Sequence, residues 1–474
     1  MIRPTLLSRY PHPRYFQVVF LVILACSTLL LFKIWYFPRL PPLYEEWHEQ
    51  ERNFPQHDLK LPPPEGRVAK YLYMADHAQG CGWGNVLQEM ILNAHFAYVL
   101  KRSFVFYNYT WDRNSGDYST FNGNKIIPSR IPVSAMLSGP IIGGVFLGND
   151  SFGVPRAVSQ EYYQTVCPDS ERNIINTQEV KPKILEVSNS YSDGNRMFKE
   201  WVSFMRGEEI KEEKCVEFQE SKGQIFDIWL FGDDGILSLW PSLRESPILT
   251  GFGFSPLILS AYLSNKHLFV NESIYQSEDP GDNLAIAKTK PIPGLLTLHV
   301  RRGDFGTHCL NLAEWNAKFT GFNTFPEIKD KFYRPEIEEE KAVEYGRRCY
   351  PSIEQIVKKV REVTADAQDH ALSDGVSGSS PSLRRIYVMT NAPKAWLRDL
   401  KQALMDDAVV PWETIQTSRD LELTWEQKYV AQAVDMYVGV RSEVFIGNGF
   451  SSLTGNIMML RMAHGVKPIK SRLW

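Results

Sequence analysis

"KYLYMADHAQGCGWGNVLQEMILNAHFAYVLKRSFVFYN" (Lys70–Asn108) reads as one strand, loop, helix and strand in succession. Lys70–Asp76 is an apolar, aromatic-rich run of strand length, closed by the glycine-rich turn "HAQGCGWGN". From Asn85 to about Lys101, residues Val86, Met90, Ile91, Ala94, Ala97 and Tyr98 recur at helical spacing. Ser103–Asn108 supplies the second strand. A helix crossing between two strands makes them parallel neighbours, the seed of a doubly wound α/β sheet.

The same grammar returns near the C-terminus. "LLTLHV" follows Pro291 and Pro293 as a first strand, and "RIYVMTNA" (Arg385–Ala392) is a buried strand with a helix starting near Pro393. "EVFIGN" (Glu443–Asn448) is another strand, running into a turn and a helix, "GFSSLTGNIMMLRMAHG". Between the two units, Asp112–Lys290 is rich in Gly, Pro, Ser and Asn and predicts long loops between short elements. "DAQDHALSDGVSGSSPS", before Arg384, predicts a mobile polar insertion. No internal repeat is visible. Two α/β lobes meeting near Lys290, 67–290 and 291–474, are the simplest architecture.

The chain of 474 residues carries a formal charge of −3, with 52 basic and 55 acidic residues. That balance argues against a nucleic-acid partner, so an anionic ligand would have to be met by a local site. Near the start, Tyr15–Phe37 ("YFQVVFLVILACSTLLLFKIWYF") has the length and aromatic flank of a short transmembrane anchor. Arg3, Arg9 and Arg14 put the tail, 1–14, in the cytosol and the rest in a Golgi or endoplasmic reticulum lumen as a type II protein; a cleaved signal peptide is the competing reading. Residues 38–66, rich in proline and charge, read as an extended stem.

Five cysteines follow the apolar segment, without a CxxC, so zinc has no support; an oxidising lumen suits two disulfides and one free thiol, which the sequence does not pair, with Cys309–Cys349 and Cys167–Cys215 the candidates. Asn108, Asn149 and Asn271 open N-glycosylation sequons.

Three strand ends could carry chemistry. "FIGNGFSSLTGNIMMLR" (Phe445–Arg461) places Ser451 and Ser452 at a helix start, which either cradles phosphate or is simply a serine-capped helix. The "GCGWGN" loop lets backbone approach a ligand but is not the dinucleotide fingerprint, since Gly80, Gly82 and Gly84 alternate. In "TLHVRRGDFG" (Thr297–Gly306), a strand predicted to stop at Gly303, alternation sets His299 and Arg301 on one face and Arg302 on the other. Arg301 either pairs structurally or grips a diphosphate, for which a planar guanidinium is well suited; Arg302 would then pair with Asp304. The tripeptide Arg302–Asp304 is no adhesion motif at a buried strand end. All three features sit at carboxyl edges of strands, where open α/β sheets bind ligands, and together they favour a nucleotide-phosphate ligand.

"HVRRGDF" (His299–Phe305) together with "FIGNGFSSLTGNIMMLR" resembles the GDP-fucose-dependent fucosyltransferases, closest to the protein O-fucosyltransferases. "YVAQAVDMYVGVRSEVFIGN" (Tyr429–Asn448) and "IYVMTNA" resemble neighbouring family segments, and "GWGN" matches the early loop loosely. "HVRRGD" alone also looks like motifs of glycan α1,2- and α1,6-fucosyltransferases. The resemblance implies a GT-B-like enzyme: two Rossmann-type lobes, an acceptor-side lobe at 67–290 and a GDP-fucose lobe at 291–474, with the donor cleft between them. It further implies inversion at the sugar, a protein or glycan acceptor, and no cofactor or metal.

On this pattern Arg301 neutralises the departing diphosphate. Gly84, Asn85, His299, Asp435, Ser451 and Ser452 fall on donor-contacting positions. The family's base is not matched: the early loop offers Gly82 and Trp83, Glu89 is poorly spaced, and Asp304 is the remaining candidate. "GTHCLNLAEWNAKFTGFNTFPEIKDKFY" has no family counterpart and reads as an acceptor wall or regulatory insertion stapled by Cys309 and Cys349. A donor-binding scaffold or receptor of the same fold that has lost catalysis is the alternative function.

Overall fold

The structure, a computed structural model, describes residues 17–27, 39–121, 125–146, 153–185, 193–270, 290–373, 383–409 and 411–474. Two five-stranded sheets organise them. In the first, the order is Val158–Ser159, Ser103–Phe106, Tyr71–Met74, Cys215–Phe218, Arg172–Ile175, with every neighbour parallel. In the second it is Thr414–Thr417, Arg385–Thr390, Ile292–Val300, Ser442–Gly447, Ser471–Leu473, again all parallel. Helices cover both faces of such sheets, which is why Tyr71–Met74 is buried throughout and Ile292–Val300 is buried at every residue but Pro293.

In each sheet the strand that comes first among the central three has its next partners on opposite sides. Adjacent strands therefore send their connections to opposite sides of each sheet, and the carboxyl ends at Met74 and Val300 sit at such a switch point, where open α/β sheets form a crevice. On Ile292–Val300, Leu296, Leu298 and Val300 pack into one core with Ile356, Val388 and Val444, while Leu295 faces the other core. His299 lies on that second face, as alternation requires.

Several expectations shift. The second sheet's leading strand ends at Val300, not Gly303; Gly303 turns the chain at φ +64°, where only glycine is unstrained, and a helix starts at Phe305. The first long helix runs Trp83–Val99, and Pro393 caps its helix from outside at the N-cap rather than opening it. The first part of the expected polar insertion is the end of the helix Ile353–Ser373, and 374–382 lies outside the described residues.

Residues 39–66 are not an extended stem. They contain the helix Glu45–Arg52 and are tied to both lobes. The Tyr44 hydroxyl donates to Glu426 O (2.7 Å) and Trp425 Nε1 donates to Leu40 O (2.8 Å), while Gln56 Nε2 donates to Ala157 O (3.0 Å) and Arg156 grips Glu65. Prolines there fix turns between anchored residues.

Of the expected anchor Tyr15–Phe37, only 17–27 is described, as helix, and the rest lies outside. No helix among the described residues is long and apolar enough to cross a membrane. Both expected disulfides are present, Cys167–Cys215 and Cys309–Cys349, the latter joining the helices Phe305–Glu314 and Glu338–Cys349.

Candidate functional site

The two crevices merge into one cleft of about 640 Å³. Its floor is made where two helix starts meet, Trp83–Val99 from the first lobe and Ser452–Ala463 from the second. Both present free backbone N–H groups and the positive end of a helix dipole, a setting that favours an anion.

Close approach of these helices depends on Gly84. A Cβ there would stand 2.6 Å from both Leu453 N and Ser452 Oγ. The contact is also held by Asn456 Nδ2, which donates to Gly84 O at 2.9 Å. Gly84→Ala is therefore expected to push the helices apart and weaken anion binding at this floor by roughly tenfold or more, an overpacking cost of about 1–3 kcal/mol. Calorimetric titration of the variant with nucleotide checks this.

From the second lobe, Ser451 is the N-cap yet makes no side-chain capping bond. The loop is fixed from behind instead: Asn448 Oδ1 accepts from Phe450 N (3.0 Å), and Asn323 Nδ2 donates to Gly449 O (2.8 Å) and Ser451 O (3.2 Å). The Ser451 hydroxyl is thus left to the cleft, beside Ser452.

His299 is buried beneath, its Nδ1 bonded to Thr454 Oγ1 (2.8 Å) and its carbonyl accepting from Trp474 Nε1 (2.9 Å). Burial, aided by the Arg301 charge, lowers its pKa to about 3, so the ring is neutral and Nε2 is the nitrogen left for a ligand.

Arg301 projects into the cleft, with its guanidinium carbon 5.5 Å from the Phe305 ring centre and its buried Nε donor without a partner. Among the described residues its one ion pair is with Asp304 (3.2 Å), and both side chains are well exposed. The expected Arg302–Asp304 pair is therefore corrected. Arg302 is buried, stacked 4.2 Å from both the Tyr350 and Trp396 rings, and donates to the carbonyls of Arg301 (3.1 Å) and Pro351. Because the strand stops at Val300, the Gly303 turn brings Asp304 back under Arg301, on the cleft side.

Gly84, Asn85, His299, Arg301, Asp304, Ser451 and Ser452 all line one cleft. Asp435 does not. Its carboxylate accepts from the Tyr387 hydroxyl (2.6 Å) and the Ser418 hydroxyl (2.9 Å), and burial raises its pKa to about 6. Gln432, one turn earlier, is what that helix shows to the cleft.

Glu89 lies under the glycine loop, outside the cleft lining, accepting from Ala78 N at 2.6 Å. Burial raises its pKa to about 8. A carboxyl raised this way stabilises the fold fully below its unfolded value near 4.5, and that contribution is lost as pH climbs through about 8. Glu89→Gln is accordingly expected to flatten the fall in thermal stability between about pH 4.5 and pH 8, read from melting curves.

Sequence reasoning missed the other wall. Tyr109, Trp111 and the hairpin Tyr118–Phe121/Lys125–Pro128 bring Phe121, Lys125 and Ile127 to the cleft, opposite Lys428, Tyr429 and His308. No motif marks these residues. Cys81 also lines the cleft as a free thiol, its pKa pushed up to about 11 by burial and by Glu89. Among the described residues no cluster of three or more His, Cys, Asp or Glu is placed to hold a metal. Asn108 is partly buried, and Asn149 and Asn271 lie outside the described residues.

No family model and no curated protein matches the chain. Solved structures of similar shape include POFUT1 in complex with GDP-fucose, at 14% identity and TM-score 0.47, covering 86% of this chain and 98% of that one. NodZ α-1,6-fucosyltransferase soaked with GDP-fucose matches at 12% identity and TM-score 0.37, over 82% of this chain and 92% of that one. A mutant of Arabidopsis thaliana FUT1 in complex with GDP matches at 12% and TM-score 0.34, over 90% of this chain and 78% of that one.

Proposed function

We propose that the chain is a glycosyltransferase that moves fucose from GDP-fucose to a hydroxyl of a protein or glycan acceptor, with inversion and without a metal. The observation that carries this reading is Arg301, half-exposed in the cleft with an unpartnered buried Nε, facing two converging helix starts. A guanidinium and two positive dipole ends are what a departing diphosphate requires, since charge develops on it as the sugar leaves. The motif resemblance of "HVRRGDF" and "FIGNGFSSLTGNIMMLR" supplies the identity of the nucleotide sugar. The two disulfides support a lumenal setting, to which Tyr15–Phe37 would anchor the chain.

Binding of GDP-fucose to the full chain tests the reading by calorimetry. Residues 39–66 are kept, because they bridge both lobes. A Kd on the order of micromolar is expected, and absence of binding sinks the reading. Burial of Glu89 away from the cleft favours a second reading, a donor-binding protein without turnover. Release of GDP from bound donor separates the two.

A further inference from the structure

Glycosyl transfer needs a group that takes the proton of the acceptor hydroxyl as its oxygen attacks. Few residues on the cleft wall can do so. Lys125 and Lys428 are donors only. Cys81 holds its proton too tightly, and the Tyr109 hydroxyl donates to Cys81 O at 3.1 Å. Asp304 is engaged by Arg301 and by Asn391 Nδ2 (3.4 Å). His299 is committed to Thr454 at the floor.

We propose that His308 is the general base of this cleft, an assignment that rests on the fucosyl-transfer reading. His308 lines the cleft half-buried, and among the described residues no hydrogen bond occupies its ring nitrogens. It stands one helical turn beyond Asp304, on the same face. Its ring centre is 5.1 Å from that of Phe305, the ring that carries Arg301 at 5.5 Å. Base and leaving-group cation thus flank one aromatic side chain, no farther apart than the sum of those distances. An in-line displacement spans a similar length, two hydrogen bonds of about 3 Å with the reacting atoms between them.

In the step itself the hydroxyl proton passes to a His308 nitrogen and the hydroxyl oxygen bonds to C1 of fucose. The bond from C1 to the diphosphate oxygen breaks, and its electron pair leaves on GDP, opposite Arg301.

Burial, together with the Arg301 charge, keeps the imidazole pKa below its ordinary value, while Asp304 pulls the other way. The ring is therefore neutral, and able to accept, at neutral pH. Those two are the charges that bear on it. The helix Glu338–Cys349, packed alongside, turns Tyr345 and the disulfide inward.

The test uses the full chain, with water as the acceptor and GDP release as the signal. His308→Gln is expected to bind GDP-fucose within about twofold of wild type yet release GDP roughly 100-fold more slowly. Added imidazole should restore His308→Ala. The wild-type rate should fall in acid with its midpoint below the ordinary imidazole value, and that acid limb should be absent from His308→Gln. GDP release by a donor-binding His308→Gln at the wild-type rate, or with the acid limb intact, overturns the base and leaves the transfer reading standing. A wild type that binds no GDP-fucose overturns both. Should the variants fail to fold, the wild-type profile decides, because a rate flat down to about pH 4 excludes a histidine base.

Discussion

Arg301→Ala is expected to lose roughly 10³-fold in GDP release from GDP-fucose, while Arg302→Ala retains most of its turnover and loses stability instead. The two neighbours differ because the chain leaves the strand at Val300 with alternation intact. Arg301 enters the cleft, tethered among the described residues only by an exposed pair with Asp304 that is worth about 0–1 kcal/mol, weak enough to be exchanged for the proposed diphosphate. On the proposed reaction its removal takes away the positive charge that would meet the leaving group, and no other arginine lines the cleft.

Arg302 is built into the opposite face. Deleting it vacates the slot between Tyr350 and Trp396 and frees the carbonyls of Arg301 and Pro351, a loss of about 2–3 kcal/mol. Some activity should go with it, since the bond to the Arg301 carbonyl steadies the catalytic loop. Single-turnover GDP release and melting curves on both variants decide the matter. Loss of turnover by Arg302→Ala with Arg301→Ala active would reverse the assignment of faces.

How far the sequence could be read follows from the range of the interactions involved. Strands such as "LLTLHV" and "RIYVMTNA" are legible because a parallel strand buried on both faces is apolar throughout, a local property. The clustering of Gly84, Asn85, His299, Arg301 and the two serines follows from the same source, since each sits at a strand end or helix start that the pattern locates. What escaped depends on partners far away in the chain. Asp435 carries the expected acidic side chain, yet its fate is set by Tyr387 and Ser418 on other elements. The segment 39–66 looks like a spacer until Tyr44 meets Glu426, 382 residues on. The pairing of Asp304 was misjudged because the strand ends three residues earlier than expected, at Val300, which alternation alone cannot place.

The largest expected effect on stability lies at the C-terminus. Arg472 is fully buried, with Nε 2.7 Å from Asp330, Nη1 2.5 Å from Asp366 and Nη2 2.7 Å from Glu362. Lys359 shares Asp330 and Lys329 shares Asp366, so the cluster balances three carboxylates with three cations. Arg472→Met removes one cation and leaves Asp330, itself almost wholly buried, short of its main donor. Breaking a buried pair from one side costs about 3–5 kcal/mol, because the remaining charge is uncompensated. For a lobe of this size that lowers the melting temperature by about 10 °C.

The pH dependence follows from Asp330. Burial pushes its pKa up, but bonds from Arg472 and Lys359 outweigh that and hold it below the ordinary carboxylate value. A depressed acid contributes stability above its unfolded pKa and loses it as pH falls through the folded one. The gap between wild type and variant should therefore be full at about pH 7 and close below about pH 3. Activity should move too, because Arg472 fixes the strand Ser471–Leu473, whose neighbour Trp474 holds the His299 carbonyl through Nε1. With that strand loosened, His299 loses its backbone anchor at the cleft floor, and donor affinity falls although no residue touching the donor has changed. An Arg472→Met protein with unaltered melting temperature and donor affinity would show that the cluster is solvated and carries neither task.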